Sequence, residues 1–275
     1  MTRYHELLRA RAPHQRLAQA IALTRMVRQL AEAGIRQRHP DAPDDEVRVR
    51  LTVGLYGRDV AASTFRRNHG ASGAVAETAS DDVVTIARRV GSAIEAAGGA
   101  YFVGGSIASS LHGEPRSTND VDIVLKLPPD RIDDLTSALG ADFEVDVDML
   151  REALRNGTSA TAFYLPTVTK IDLFALGAER YDQIEFTRRR HVQVQSTGET
   201  LVVKSPEDSV LRKLLWYRQG GCVSDRQWRD IVEVLQVSGP EMDARYLSTW
   251  AERLDLTDML ARAKAGSQAP GPRAP

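Results

Sequence analysis

Ala100-Tyr101-Phe102-Val103-Gly104-Gly105-Ser106 and, after an intervening thirteen residues, Asp120-Val121-Asp122-Ile123-Val124-Leu125 are the segments whose reading decides the fold. The first is a short apolar run that empties into a glycine turn. The second alternates, so period-two geometry sends Asp120 and Asp122 to one face of a strand and Val121, Ile123 and Leu125 to the other. Two carboxylates this close repel each other and are costly unless a cation compensates them. Mg²⁺ favours hard oxygen ligands and binds through a few carboxylates together with substrate phosphates. The pair therefore predicts a metal that arrives with a nucleotide.

A third acid, Asp172, interrupts the apolar strand Lys170-Ile171-Asp172-Leu173-Phe174. An isolated buried carboxylate is expensive, so a strand neighbouring Asp120 and Asp122 would let all three acids share ions. That is the composition of a two-metal phosphoryl-transfer site, in which Asp172 could also take the proton of an acceptor hydroxyl. Gly104, Gly105 and Ser106 open a helix, and their backbone N–H groups can approach phosphate oxygens where the helix dipole favours negative charge. Arg116 and Thr118, just before the acid strand, either bind phosphate or fix the loop. Asp146-Val147-Asp148 has the same spelling as the acid pair. It lacks an upstream glycine turn and precedes a helical run, so it is read as a helix cap.

Outward from this centre the chain reads as α/β, with a helical segment on either side. Pro13 to Gly34 reads as a helix, because Leu17, Ala20, Leu23, Val27 and Leu30 recur at three- and four-residue steps. Val47 to Leu55 fits a strand or a helix, and the acidic start Asp44-Asp45-Glu46 favours the helix. His69 to Ser80 is small and polar, as a linker would be. Asp81 is the expected cap of a helix carrying Val83, Ile86, Val90 and Ile94 and ending at Gly98-Gly99. Strands are expected at 100–103, 121–127, 160–165, 168–176, 192–195 and 200–203, with helices near 130–139 and 146–155. From Ser205-Pro206-Glu207-Asp208, a capping signature, the chain turns helical, with further helices near 224–237 and 241–262. The division is a helical region at 1–75, an α/β core at 81–204, a helical region at 205–264 and a disordered tail at 265–275.

Of the 275 residues 42% are apolar, enough for an ordinary core, and 36 basic against 37 acidic side chains leave a formal charge of -1. No global positive field announces a nucleic-acid partner. The single cysteine, Cys222, excludes an internal disulfide and a cysteine zinc site, and the six histidines have no metal-ligand spacing. No run approaches the ~20 apolar residues of a membrane helix, so the expected location is the cytoplasm. Arg188-Arg189-Arg190-His191 either lines an RNA path or forms a charged edge strand. Trp216, Tyr217 and Trp228 read as helix packing.

Gly105-Ser106, thirteen residues and then Asp120-Val121-Asp122 resemble the signature of the polymerase-beta-like nucleotidyltransferase superfamily. Ser205-Pro206-Glu207-Asp208 before Leu211-Arg212-Lys213-Leu214, followed by Arg226-Gln227-Trp228-Arg229-Asp230-Ile231, is similar to the AbiEii/AbiGii-type toxin nucleotidyltransferases of type IV toxin–antitoxin systems. The resemblance spans roughly residues 81–237 and leaves the segment before residue 75 outside it. It implies a small mixed sheet flanked by helices, with Gly105 and Ser106 on the triphosphate and Asp120 and Asp122 on Mg²⁺. It also implies Asp172 as third carboxylate, Lys213 on the nucleotide phosphates and Asp230 completing the site. From the residues alone, Lys213 could be a helix-surface lysine, Asp230 could pair with an arginine, and Lys204 is a competing phosphate ligand. The implied chemistry moves a nucleoside monophosphate from an NTP to the hydroxyl of a tRNA 3′ end, a protein or a small molecule. A cognate antitoxin is the implied partner. The rival expectation is a non-catalytic nucleotide sensor or antitoxin-like binding module.

Overall fold

The computed structural model describes residues 3–57, 81–194 and 199–268. The expected linker at 69–80 lies outside these residues, as does Gln195. Three helices come first: α1 (Arg3–Ala10), α2 (Pro13–Arg38) and α3 (Asp44–Tyr56). Pro13 occupies the first turn of α2, where its missing N–H costs nothing. The helix does not stop at Gly34. It continues through buried Ile35 until Pro40 ends it, and Gly34 adopts no positive φ. Asp44, Asp45 and Glu46 fall in the first turn of α3, as the dipole argument requires.

The α/β core follows as α4 (Val83–Ala96), β1 (Ala100–Val103), α5 (Gly105–His112), β2 (Asp120–Lys126), α6 (Ile132–Leu139), β3 (Phe143–Val145), α7 (Val147–Asn156), β4 (Ser159–Tyr164), β5 (Thr169–Ala175), α8 (Arg180–Thr187), β6 (Arg190–Val194) and β7 (Glu199–Val203). Asp82, not Asp81, caps α4. It stands in extended conformation, and its carboxylate accepts from the N–H groups of Val84 and Thr85. Asp81 instead accepts from Arg89 and from the Tyr164 hydroxyl at 2.7 Å, tying the start of α4 to β4. Asp146 caps α7 through the Met149 N–H, as expected for the decoy acid pair.

The strands form one mixed sheet in the order β3-β4-β5-β2-β1-β7-β6. Parallel pairing joins β2 to β5 and β1 to β7, and the remaining pairs are antiparallel. On β2 and β5 alternate residues separate cleanly. Val121, Ile123, Leu125, Ile171 and Leu173 are buried with Ile86, Val90 and Ile94 of α4 and Leu135 of α6, while Asp120, Asp122, Lys170 and Asp172 lie on the opposite, half-covered face. Burying that apolar set stabilises the sheet by about 25 cal/mol per Å² removed from water, and fixes the register that points the acids away from the core.

Helices α9 (Pro206–Gln219), α10 (Asp225–Ser238), α11 (Ala244–Arg253) and α12 (Thr257–Gln268) close the chain around a second core of Val210, Leu214, Ile231, Val234, Leu247 and Trp250. Ser205 caps α9 through the Asp208 N–H. The single helix expected at 241–262 is broken at Asp255, whose φ of 56° turns buried Leu256 back into the core. The tail expected from 265 is helical to Gln268, and the residues beyond lie outside the described set. Helices α1 and α8 and strand β3 have no counterpart in the sequence reading. At three to eight residues each, they are too short for a periodic signal. Among the described residues no helix is long and apolar enough to cross a membrane.

His112, at the end of α5, is buried, and its Nε2 lies 2.7 Å from the Lys204 carbonyl. Burial pushes its pKa down to about 4, so the ring is neutral and donates to that carbonyl. The unfolded chain takes up this proton near the ordinary 6.5, whereas the fold resists it down to about 4. Stability therefore falls as pH drops through that window. From pH 7 to 5 this site should remove about 2 kcal/mol, and urea unfolding of His112→Gln should show a correspondingly shallower loss.

Candidate active site

The glycine turn and the acids meet at the end of the sheet where β1 leaves and β2 begins. Gly105 has φ +52°, and a Cβ built on it would stand 1.7 Å from Asp122 Oδ2, so the turn is packed directly on that carboxylate. Gly104 N donates to the Asp122 carbonyl at 2.9 Å. The parallel register sets Asp122 opposite Asp172 and Asp120 opposite Lys170. All three acids thus lie on one face of the β2–β5 pair.

Their environments differ. Burial raises the pKa of Asp122, and the neighbouring charges of Asp172 and Asp120 raise it further. Burial also raises Asp120, partly relieved by Lys170. Asp120 Oδ1 is buried and has no hydrogen-bond partner. Such an orphaned carboxylate oxygen beside a second acid is the donor set a hard cation completes, so the pair fits Mg²⁺. Asp172 is engaged. Its Oδ1 accepts from Thr161 Oγ1 at 2.9 Å, and its Oδ2 pairs with Lys170 Nζ at 2.6 Å. Among the described residues no three His, Cys, Asp or Glu side chains are grouped to hold an ion. Asp172, expected as the third carboxylate, stands on the same face as Asp120 and Asp122 and is paired there with Lys170 and Thr161.

The cationic residues form a second layer. Asp230 accepts from Arg116 through both oxygens at 2.9 Å and from Lys213 at 2.8 Å. Burial alone would raise the Asp230 pKa, but Lys213 and Arg116 outweigh it and hold the carboxylate low. Burial lowers Lys213 against the opposing pull of Asp230. Arg116 also donates to Ser106 Oγ at 2.6 Å, tying this hub to the glycine turn. One carboxylate thus anchors two cations. Lys213 is buried and not a helix-surface lysine.

Lys204, the competing phosphate ligand, is buried and pairs with Glu185 at 2.8 Å, and Arg212 grips Glu185 and Asp182. It is committed to that network. Thr118 is buried, with its N–H on Thr24 Oγ1 and its hydroxyl on the Asp120 carbonyl, so it fixes the loop. Arg188 and Arg190 pair with buried Glu207, Arg190 remaining exposed, and Arg189 lies over Phe186. Trp216 packs on Phe174, and Tyr217 on Trp228.

The residue that sequence reasoning missed is Lys170. Its signal was present: two positions before Asp172 on a strand, it shares the acid's face. A small recess lined by Gly105, Lys204, Ser209, Arg212, Lys213 and Trp216 adjoins the turn. The larger cavity, about 430 Å³, contains none of the acids and lies between the first helices and the core, lined by Thr24, Arg28, Asp82, Thr167 and Thr169 among others.

The N-terminal helices hold both loops that lead into the acids. Arg28 donates to Asn119 Oδ1 at 3.5 Å and to the Thr167 carbonyl. Tyr56 Oη donates to the Asn119 carbonyl at 2.8 Å and accepts from Lys170 N at 3.3 Å. Buried Arg16 donates to the Leu111 carbonyl at 2.9 Å.

The family described as Rv0078B-related antitoxin matches residues 9–77, well under half of the chain. No curated protein matches. Among solved structures, the chain is similar to one described as an antigenic nucleotidyltransferase-like protein from Paracoccidioides brasiliensis. Identity is 22%, coverage is 70% of this chain and 95% of that one, and the TM-score is 0.43.

The packing of Gly105 on Asp122 has a direct consequence. Gly105→Ala must displace the carboxylate and hold a side chain at positive φ, and should lower unfolding stability by about 2 kcal/mol. Denaturant unfolding checks this, and an unchanged midpoint would contradict the geometry.

Proposed function

We propose that the chain is a Mg²⁺-dependent nucleotidyltransferase that moves a nucleoside monophosphate from an NTP to an acceptor hydroxyl and releases pyrophosphate. The observation that carries this reading is the Asp120–Asp122 pair: half-buried, mutually repelling, with one orphaned oxygen, and packed against a glycine turn. Asp120 and Asp122 would hold the ion, which when bound neutralises phosphate charge and polarises the phosphoryl oxygens. Gly105 and Ser106 supply backbone donors for the triphosphate, and the Asp230-anchored Lys213 and Arg116 supply positive charge for the leaving pyrophosphate. The acceptor oxygen forms the new bond to the α-phosphorus as the α–β bridge breaks, and its proton passes to a carboxylate of this face, with Asp172 in that role. The AbiEii/AbiGii resemblance supports a tRNA 3′ end or a protein as acceptor, and fold alone does not choose between them.

The match of residues 9–77 to an antitoxin family supports a further part of the reading: the N-terminal helices restrain the site of their own chain. They grip Asn119, Thr167 and Lys170, the residues beside the acids. The same match favours the second reading, a non-catalytic sensor or antitoxin-like module. Pyrophosphate release separates the two.

Incubation with each α-labelled NTP and total RNA or protein should label an acceptor, and Asp120→Ala should abolish labelling while circular dichroism stays unchanged. Labelling by Asp120→Ala at the wild-type rate would refute the transferase. Arg28→Ala combined with Tyr56→Phe should raise the labelling rate several-fold by loosening the N-terminal grip. An unchanged rate would remove the restraint from the proposal.

A further inference from the structure

We infer that Lys170 takes the place of a second metal ion: the site loads one divalent cation, on Asp120 and Asp122, and the Lys170 ammonium supplies the remaining positive charge while holding Asp172. This inference rests on the transferase reading and departs from the two ions that the three-acid pattern predicts.

The argument starts from strand register. Lys170 lies opposite Asp120, and Asp172 opposite Asp122, on neighbouring parallel strands, so one cation and three acids share a single face. The Lys170 ammonium sits 2.6 Å from Asp172 Oδ2, a short charge-assisted hydrogen bond. The other oxygen of Asp172 accepts from Thr161 on β4, the residue paired with Asp172 across the antiparallel ladder. Both oxygens are therefore taken by side chains that neighbouring β-positions hold in place. A dication on Asp172 would share a carboxylate with an ammonium, and like charges at that separation repel strongly in a partly buried site.

The Lys170 backbone is fixed in the β2–β5 ladder, its N–H donates to Tyr56 Oη, and its ammonium is held on Asp172. Asp120 stands in contrast, with a buried oxygen that no side chain satisfies. The charges also match, since three carboxylates are balanced by one ammonium and one dication. Lys170 is accordingly a positioning residue: it orients Asp172 towards the acceptor side and keeps it out of the ion's ligand set.

The test counts ions. The full-length protein is dialysed to equilibrium against Mn²⁺ and a labelled α,β-methylene NTP, for each of the four bases. Free Mn²⁺ is read by electron paramagnetic resonance, and bound Mn²⁺ is expressed per bound nucleotide. The expected ratio is one for the wild type and for Lys170→Arg, two for Lys170→Met, which frees Asp172, and one again for Lys170→Met with Asp172→Asn. A wild-type ratio of two overturns the inference and leaves the transferase reading intact. A ratio that stays at one in folded Lys170→Met also overturns it. Nucleotide bound without any ion defeats the transferase reading, and the inference with it. Should Lys170→Met fail to fold, the wild-type and Lys170→Arg ratios still decide.

Discussion

The confinement of three carboxylates and one ammonium to a single half-buried face of the β2–β5 pair is the constraint on which the rest of the molecule turns. Parallel pairing brings Asp120, Asp122, Lys170 and Asp172 together, and the apolar face behind them leaves no room for a register slip. A one-residue shift would carry the acids into the core and Val121, Ile123 and Ile171 into the cleft. Fold stability and site assembly therefore depend on the same alternation. The cost of massing negative charge falls on Asp122, which is raised by burial and by both neighbours, and the glycine turn packs on that same residue.

Around this face the C-terminal helices act as a charged scaffold. Asp230 on α10 draws Arg116 from the loop before β2 and Lys213 from α9 to one point, so three separate segments are fixed relative to the turn. A parallel arrangement recurs at Glu185, which holds Lys204 and Arg212 and which those cations keep ionised against burial. Breaking either hub would leave a buried charge without its partner, typically worth 3–5 kcal/mol. In both, the acid is the more deeply anchored member and the cations reach to it from different elements.

The N-terminal helices are built on a different principle. Besides the apolar contact of Leu17, their polar grip on the core includes single side chains donating to backbone carbonyls: Arg16 to Leu111, Arg28 to Thr167 and Tyr56 to Asn119. Such contacts are specific but modest, each worth about 0.5–1.5 kcal/mol, or up to about 3 where the donor is charged. An attachment of this kind holds the loops beside the acids while Leu17 and Ile21 of α2 join the edge of the sheet's core. That suits a segment whose proposed role is restraint.

Much of this was legible in the chain itself. Period-two alternation at Asp120–Leu125 and at Lys170–Phe174 determined which residues face the core, and Gly104-Gly105-Ser106 marked the strand-to-helix turn. These signals are local, and local geometry alone produces them. What only tertiary structure decided is who partners whom. Asp172 is claimed by Thr161 as well as by its strand neighbour Lys170, Lys204 is absorbed by Glu185, Arg188 and Arg190 pair with buried Glu207, and Asp82 takes the helix cap while Asp81 binds Arg89 and Tyr164. The physical reason is that a charged side chain's role is set by the nearest opposite charge in space. For Arg116 that neighbour, Asp230, lies more than a hundred residues away along the chain, beyond the reach of any local pattern.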